Sequence, residues 1–223
     1  MAVIVRSGTY GTYYGNNMNS SNALNNSQMA VNAVYIASYL RAAGWSDNAI
    51  AGMLGNMQSE SAINPGRWQS DDVGNYSLGY GLVQWTPVTK YTNWCTASGI
   101  SDPSEMDSNL QRIIYEVENN VQYFSTANYP EDFGEFTKSG QTPYYLACAF
   151  AWNYERSYVV LYGSEEEREA LRQARGGQAN YWYEVISGVA PPQPPPGREP
   201  KKKYKFFLFK KRRSSQKWKS RIF

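Results

Sequence analysis

Glu60 stands where a carboxyl can do acid chemistry. Ile50, Met53, Leu54 and Met57 recur at the spacing of one buried helical face. Glu60 follows Met57 by three residues, so it continues the inward side while lying at the helix end. Beyond it, residues 64–81 are rich in Gly, Asn and Asp, with turn signals at Asn64-Pro65-Gly66, Val73-Gly74-Asn75 and Leu78-Gly79. A carboxyl half-buried at the lip of an aromatic groove keeps its proton to higher pH, because burial disfavours the charged form. Cleavage of a glycosidic bond needs such a group, since the leaving oxygen must be protonated near neutral pH. On position alone, a surface glutamate at a helix terminus is the simpler reading.

A hydrolase of this kind needs a second carboxylate. An inverting enzyme places it about 6.5–9.5 Å from the acid to activate water, and a retaining one about 5–5.5 Å away as nucleophile. Asp71 and Asp72 are the nearest in sequence, although both equally suit turn aspartates that bond their own backbone. If neither is correctly placed, Glu60 acts alone. The chain has no histidine, which excludes Ser-His-Asp and Cys-His catalysis and the usual zinc site. Cys95 and Cys148 are the only thiols, too few for a zinc cluster or iron–sulfur centre, and no metal or cofactor is indicated.

The elements that must hold these residues are mostly helical. Ser27 is expected to cap a first helix carrying Val31, Val34, Tyr35, Ala37, Ser38 and Leu40, stopped by Gly44. Ser46 caps the helix that leads to Glu60. Arg67-Trp68-Gln69 and Tyr76-Ser77-Leu78 are read as a small hairpin. Leu110, Ile113, Ile114, Val117 and Val121 form the cleanest helical stripe in the chain. Thr142-Pro143 opens a helix through Leu146, Ala149 and Phe150, with Cys148 on its apolar face. Ser164 with Glu167 marks a capping box. The expected fold class is α+β, mainly helical.

Three segments recur in one order: Asn56-Met-Gln-Ser-Glu60-Ser-Ala-Ile-Asn-Pro65, then Ser77-Leu-Gly-Tyr-Gly-Leu-Val-Gln-Trp-Thr-Pro87, then Ala151-Trp-Asn-Tyr-Glu-Arg156. Together they resemble the lysozyme-like glycosidases, including goose-type lysozymes and soluble lytic transglycosylases. Over residues 28–188 the resemblance is greatest to the phage tail lysozyme family, and within it to the lysozyme domain of tail-tip wall-degrading proteins of short-tailed phages. This implies a lysozyme-like domain with a small β-hairpin lining the cleft, and a muramidase acting on the peptidoglycan glycan strand between N-acetylmuramic acid and N-acetylglucosamine. It makes Glu60 the catalytic acid and gives Tyr80, Gly81 and Gln84 to the sugar-lining strand, with Tyr154 facing the acid across the cleft. Asp72 is placed ahead of Asp71 because the family sets the Gly74-Asn75 turn at the cleft. Trp68 and Trp85, which flank the motifs, are expected as groove rings that pack on sugar faces. Glu155 is expected in support, paired with Arg156. The alternatives are a lytic transglycosylase, in which the muramic 6-hydroxyl attacks, and a tail component that grips glycan without cutting it.

The net charge of +3 hides two opposed parts. Residues 1–190 carry 10 basic and 18 acidic side chains, whereas residues 191–223 carry 12 basic and one acidic. Four segments follow: a polar N-terminal arm (1–27), loosely held for want of aliphatics; the lysozyme-like domain (28–188); a Pro-rich linker (189–200); and a basic aromatic tail (201–223), expected to be disordered. The tail's cations with Tyr204, Phe206, Phe207 and Phe209 suit an anionic wall polymer or a membrane surface, and nothing in it would read a nucleic-acid sequence. A third function class, a cationic membrane-active protein, would place the killing there. The start lacks an export leader, so the expectation is synthesis in the host cytoplasm and delivery on a virion tail, with phage tail proteins as partners, or as a released lysin. The histidine-bearing zinc peptidase domain of the resembling proteins has no counterpart in this sequence, so cross-link cleavage is not expected.

Overall fold

In a computed structural model that describes residues 3–188, the chain begins with strands β1 (Ile4–Gly8) and β2 (Gly11–Gly15). Helices α1 (Asn26–Ala42), α2 (Asp47–Ser61), α3 (Thr89–Ala97), α4 (Met106–Glu118), α5 (Phe133–Lys138), α6 (Pro143–Phe150), α7 (Tyr158–Tyr162) and α8 (Glu165–Ile186) follow. The lysozyme-like α+β class expected from the sequence is what the chain adopts. The Pro-rich linker and the basic tail lie outside the described residues.

α2 is the centre. Ser46 opens it as expected, its hydroxyl accepting from the Ala49 amide (3.1 Å). Every residue from Ala49 to Met57 is buried, which requires neighbours on all sides, and α1, α6 and α8 supply them. Two glycines set how closely. A Cβ on Gly52 would stand 2.8 Å from Leu146 Cβ and 2.9 Å from the Ala147 nitrogen of α6. On Gly55 it would stand 2.7 Å from the Arg175 carbonyl and 2.9 Å from the Ala179 nitrogen of α8. Only residues without Cβ permit such an approach, and it brings Arg175 beside α2 shortly before Glu60.

The caps of α6 and α8 are as expected: Thr142 with Pro143 at the first turn, and a reciprocal Ser164–Glu167 box. α1 differs, because Asn25 rather than Ser27 caps it, exchanging hydrogen bonds with Gln28 at 3.0 Å each. Its buried face carries Met29, Ala33, Ile36 and Leu40, leaving Val31 and Val34 exposed. α4 ends at Glu118, so Val121 falls beyond it and is exposed. Cys95 and Cys148 are both buried and not joined to each other.

The N-terminal arm, expected to be loose, is a built element. β1 and β2 pair antiparallel from Ile4–Gly15 to Gly8–Gly11. Thr, Tyr and β-branched residues suit a pleated strand even where aliphatics are few, and polar side chains anchor the ribbon. Arg6 reaches Asp102 (2.5 Å) and the Ser104 hydroxyl (2.6 Å). Asn32 of α1 both accepts from the Tyr14 amide and donates to its carbonyl. Asn64, of the Asn-Pro pair after α2, donates to Asn16 (2.7 Å) and to the Asn22 carbonyl (2.8 Å).

The hairpin expected over residues 67–78 does not form as such. Isolated bridges join Trp68 to Tyr80 and Tyr80 to Trp85, around a short 3₁₀ turn at Gln69–Asp71. The Arg67–Gln69 segment instead meets residues 79–81, the Gln69 amide donating to the Gly79 carbonyl and the Gly81 amide to the Arg67 carbonyl (2.9 Å each), and side chains add to these bonds. The Gln69 side chain accepts from the Gly79 amide (2.8 Å), Asn109 of α4 accepts from the Leu82 amide (3.0 Å), and the Ser61 hydroxyl donates to the Leu82 carbonyl (2.9 Å). That last bond ties the end of α2, and so Glu60, to the Gly-x-Gly segment.

Candidate active site

Glu60 is the penultimate residue of α2, after which Ala62 and Ile63 both turn through left-handed backbone (φ 53° each). Its neighbours on α2 fasten this end to α8: Ser59 donates to Gln178 (2.8 Å), and Trp182 Nε1 donates to Gln58 (2.8 Å). The Glu60 side chain keeps 24% of its surface exposed and meets Arg175 Nη2 at 2.6 Å, the arginine side chain being 12% exposed. Glu60 is thus half-buried with one side accessible, the setting that acid catalysis at a groove requires. Burial pushes its carboxyl above the usual range, against the pull of Arg175. The C-terminal end of a helix acts in the same direction, because its carbonyls disfavour a negative charge.

Glu155 lies within electrostatic reach of the same pair. It closes a π-helical turn, Ala151–Glu155, in which the Arg156 amide bonds the Ala151 carbonyl (2.9 Å) and Arg156 takes left-handed backbone (φ 49°). Such turns often sit at functional sites. The expected Glu155–Arg156 pairing is absent: the Arg156 guanidinium stacks on Phe124, 4.9 Å from the ring centre. The Glu155 Oε1 atom is buried without a hydrogen-bond partner among the described residues. Burial holds its carboxyl well above the usual range. The Glu60 charge adds to that, Arg175 opposes it, and Glu116 adds a smaller push.

A second carboxylate centre lies next to the first. Glu116 of α4 is fully buried and accepts from Trp85 Nε1 (3.0 Å) and Arg112 Nε (2.9 Å) on one oxygen and from the Tyr154 hydroxyl (2.5 Å) on the other. Burial raises its carboxyl, and these three donors and the Arg112 charge oppose the rise. Arg112 lies over the rings of Trp94 and Tyr115, so this charge pair is enclosed by aromatic surface. Tyr154 and Glu155 are consecutive in the π-helical turn, so the two centres share that element.

The sequence-derived site residues divide between these surroundings. Tyr154 is buried, with its hydroxyl committed to Glu116. Trp68 and Trp85 present almost no face to solvent, at 1% and 3% exposure, because each indole N–H finds an interior acceptor: the Met18 carbonyl (2.9 Å) and Glu116. Tyr80 is buried between them, 4.9 Å from the Trp68 ring and stacked towards Tyr91. Gly81 (φ 84°) and Gln84 (φ 52°) make the tight turn of the Gly-x-Gly segment. The Gln84 amide nitrogen donates to the Gly81 carbonyl (2.8 Å), while its Oε1 is buried without a hydrogen-bond partner among the described residues. Asp71 is exposed and held by Ser21 (2.7 Å) and Arg67 (3.0 Å). Asp72 is exposed and accepts from Asn75 (2.8 Å). Sequence reasoning missed Glu116 and Arg175. Arg112 and Glu116 stand four apart beside the apolar stripe of α4, which was a usable signal. Nothing local marks Arg175, which meets a partner 115 residues away.

Comparison with known proteins adds a family and a relative. A family model described as phage tail lysozyme matches residues 31–186. A Bacillus phage B103 protein named morphogenesis protein 1 is 49% identical over 170 residues, covering 76% of this chain and 43% of the relative. The match therefore spans less than half the length of that protein.

Proposed function

Because the chain belongs to the phage tail lysozyme family, we propose that it is a muramidase that cleaves the MurNAc–GlcNAc bond of peptidoglycan, carried by a phage particle for local wall penetration. The observation that carries the proposal is Glu60: a half-buried carboxyl at the end of the central helix, raised by burial and open on one side. In the reaction Glu60 gives its proton to the glycosidic oxygen as the C1–O bond breaks, and Arg175 then holds the carboxylate left behind. In this reading the turn at Gly81 and Gln84, tied to Glu60 through Ser61 and Leu82, borders the sugar's acetamido group. Asp72 is the base in this reading, being less constrained than Asp71, which Arg67 and Ser21 hold.

A second reading is favoured by a specific observation. Both aspartates are exposed and already engaged, Asp72 with Asn75 in its own turn and Asp71 with Ser21 and Arg67, which supports a site with Glu60 as the sole acid and the muramic 6-hydroxyl as nucleophile, that is, a lytic transglycosylase. Digestion of purified peptidoglycan with mass analysis of the fragments separates the two. Reducing ends, lost in Asp72→Asn, are expected for the hydrolase; 1,6-anhydro ends, unaffected by that substitution, would establish the transglycosylase.

A further inference from the structure

Glu116 takes no part in the acid chemistry, yet its carboxyl is completely buried on α4. A buried carboxylate–guanidinium pair adds little stability that apolar side chains of the same volume would not supply. What the carboxyl does that an apolar group cannot is fix donors from other segments at set positions. One oxygen accepts from Trp85 Nε1 (3.0 Å) and Arg112 Nε (2.9 Å), and the other from the Tyr154 hydroxyl (2.5 Å). Arg112, one turn away on α4, and Tyr154, from the π-helical turn, hold the carboxylate. Trp85 is what the carboxylate holds in turn.

Trp85 packs against the Gly-x-Gly turn itself: a Cβ on Gly81 would stand 2.9 Å from Trp85 Cζ3. Stacking on Tyr91, with 4.4 Å between ring centres and 18° between planes, fixes the plane of the indole and leaves it free to slide. The N–H bond to Glu116 fixes its place within that plane. Gln84 precedes Trp85 and is the one residue of 80–85 that is not buried. It takes left-handed backbone (φ 52°), which a residue with a Cβ keeps only where its surroundings over-determine it. The bonds of Leu82 to Ser61 and Asn109 anchor the middle of the turn, and Trp85 anchors its end.

We propose that Glu116 is the positioning residue of the glycan-binding turn: by holding the Trp85 indole it keeps Gly81 and Gln84 in the conformation that meets the sugar. This rests on the reading that the turn borders the acetamido group, and it gives Glu116 a part in substrate binding rather than in proton transfer. Glutamine can stand in for the hydrogen bonds. Its carbonyl oxygen accepts from Trp85 and Arg112, and its amide donates to the Tyr154 hydroxyl, which accepts as readily as it donates. Only the counter-charge of Arg112 is lost, so Glu116→Gln separates position from stability.

The test compares wild type, Trp85→Phe, Glu116→Ala and Glu116→Gln as full chains. Affinity for an N-acetylglucosamine tetramer, kcat and KM on soluble glycan strands, and thermal unfolding are measured for each. Trp85→Phe keeps a ring on Tyr91 and loses the N–H, so Kd and KM should rise about three- to tenfold, the worth of a displaced hydrogen bond or two. Its kcat should be retained, as when a contact serves ground and transition states alike. Glu116→Ala should match it at temperatures where it is folded. Glu116→Gln should melt lower, because Arg112 is left buried without its counter-charge, and should still bind the tetramer as wild type does. An unchanged KM in Trp85→Phe, or affinity that simply tracks melting temperature across the variants, overturns the proposal. If Glu116→Ala does not fold, Trp85→Phe and Glu116→Gln decide alone. If the variants lose tetramer binding as expected but wild type cuts no glycan, the function proposed above fails and the positioning role stands. If wild type cuts glycan and Trp85→Phe binds and cuts normally, only the positioning role fails.

Discussion

Gly55→Ala tests whether the α2–α8 contact sets the site. The new Cβ would lie 2.7 Å from the Arg175 carbonyl and 2.9 Å from the Ala179 nitrogen, both main-chain atoms, whereas ordinary contact begins near 3.4 Å. α8 must therefore retreat by about 0.7 Å at Arg175, because no side chain is available to give way. Overpacking of this kind costs about 1–3 kcal/mol, and the better helix propensity of alanine returns about 1 kcal/mol. Gly177, on α8, has open space around it and supplies the control, since Gly177→Ala gains the propensity with no clash. Thermal unfolding should place Gly55→Ala below wild type and Gly177→Ala above it. Each kcal/mol corresponds to about 2–4 °C for a domain of this size. Glycan cleavage by Gly55→Ala should fall as well, because Arg175 is carried away from Glu60 and sub-ångström misplacement is costly in a catalytic site. If Gly55→Ala is stabilised to the same degree as Gly177→Ala and cleaves normally, the contact does not govern the site.

Tyr154→Phe removes the hydroxyl that donates to Glu116 and leaves a buried carboxylate oxygen short of a donor, so a loss of about 1–3 kcal/mol is expected in urea unfolding; an unchanged midpoint would mean that the bond contributes nothing net. Glu155 keeps its proton to higher pH in the folded chain than its ordinary value of 4.5. The folded state thus binds the extra proton, and the stability it contributes is complete below that value and lost as pH rises through the raised one. Wild type should therefore lose more melting temperature than Glu155→Gln between about pH 5 and 8, and parallel curves would contradict this. Burial pushes the Cys148 thiol up to about 11 and raises Cys95 too, so neither should react with a thiol reagent near pH 8 until the chain is unfolded; rapid reaction of the native protein would refute their burial.

What the sequence made legible is what local chemistry decides. Ser46, Thr142-Pro143 and Ser164 with Glu167 fix helix starts through contacts within three residues, and the α2 stripe pointed to Glu60 because period and buried face coincide. The N-terminal ribbon is not legible in composition, because its stability comes from Arg6, Asn32 and Asn64 reaching across 18 to 96 residues. Trp68 and Trp85 flank the motifs, which suggests groove rings, but that adjacency says nothing of the interior acceptors that their indoles find. The charged partners of the site, Arg175 and Glu116, are set by helix packing, in which Gly55 takes part without any charged signature of its own.

The central claim is that Glu60 is the acid that cuts the glycan strand. The direct measurement is the initial rate of chain cleavage on purified peptidoglycan by wild type and Glu60→Gln, with thermal unfolding to show that both are folded. General acid catalysis contributes about 10²- to 10⁴-fold. A folded Glu60→Gln whose rate falls by that much bears the account out, and one that cleaves at the wild-type rate contradicts it.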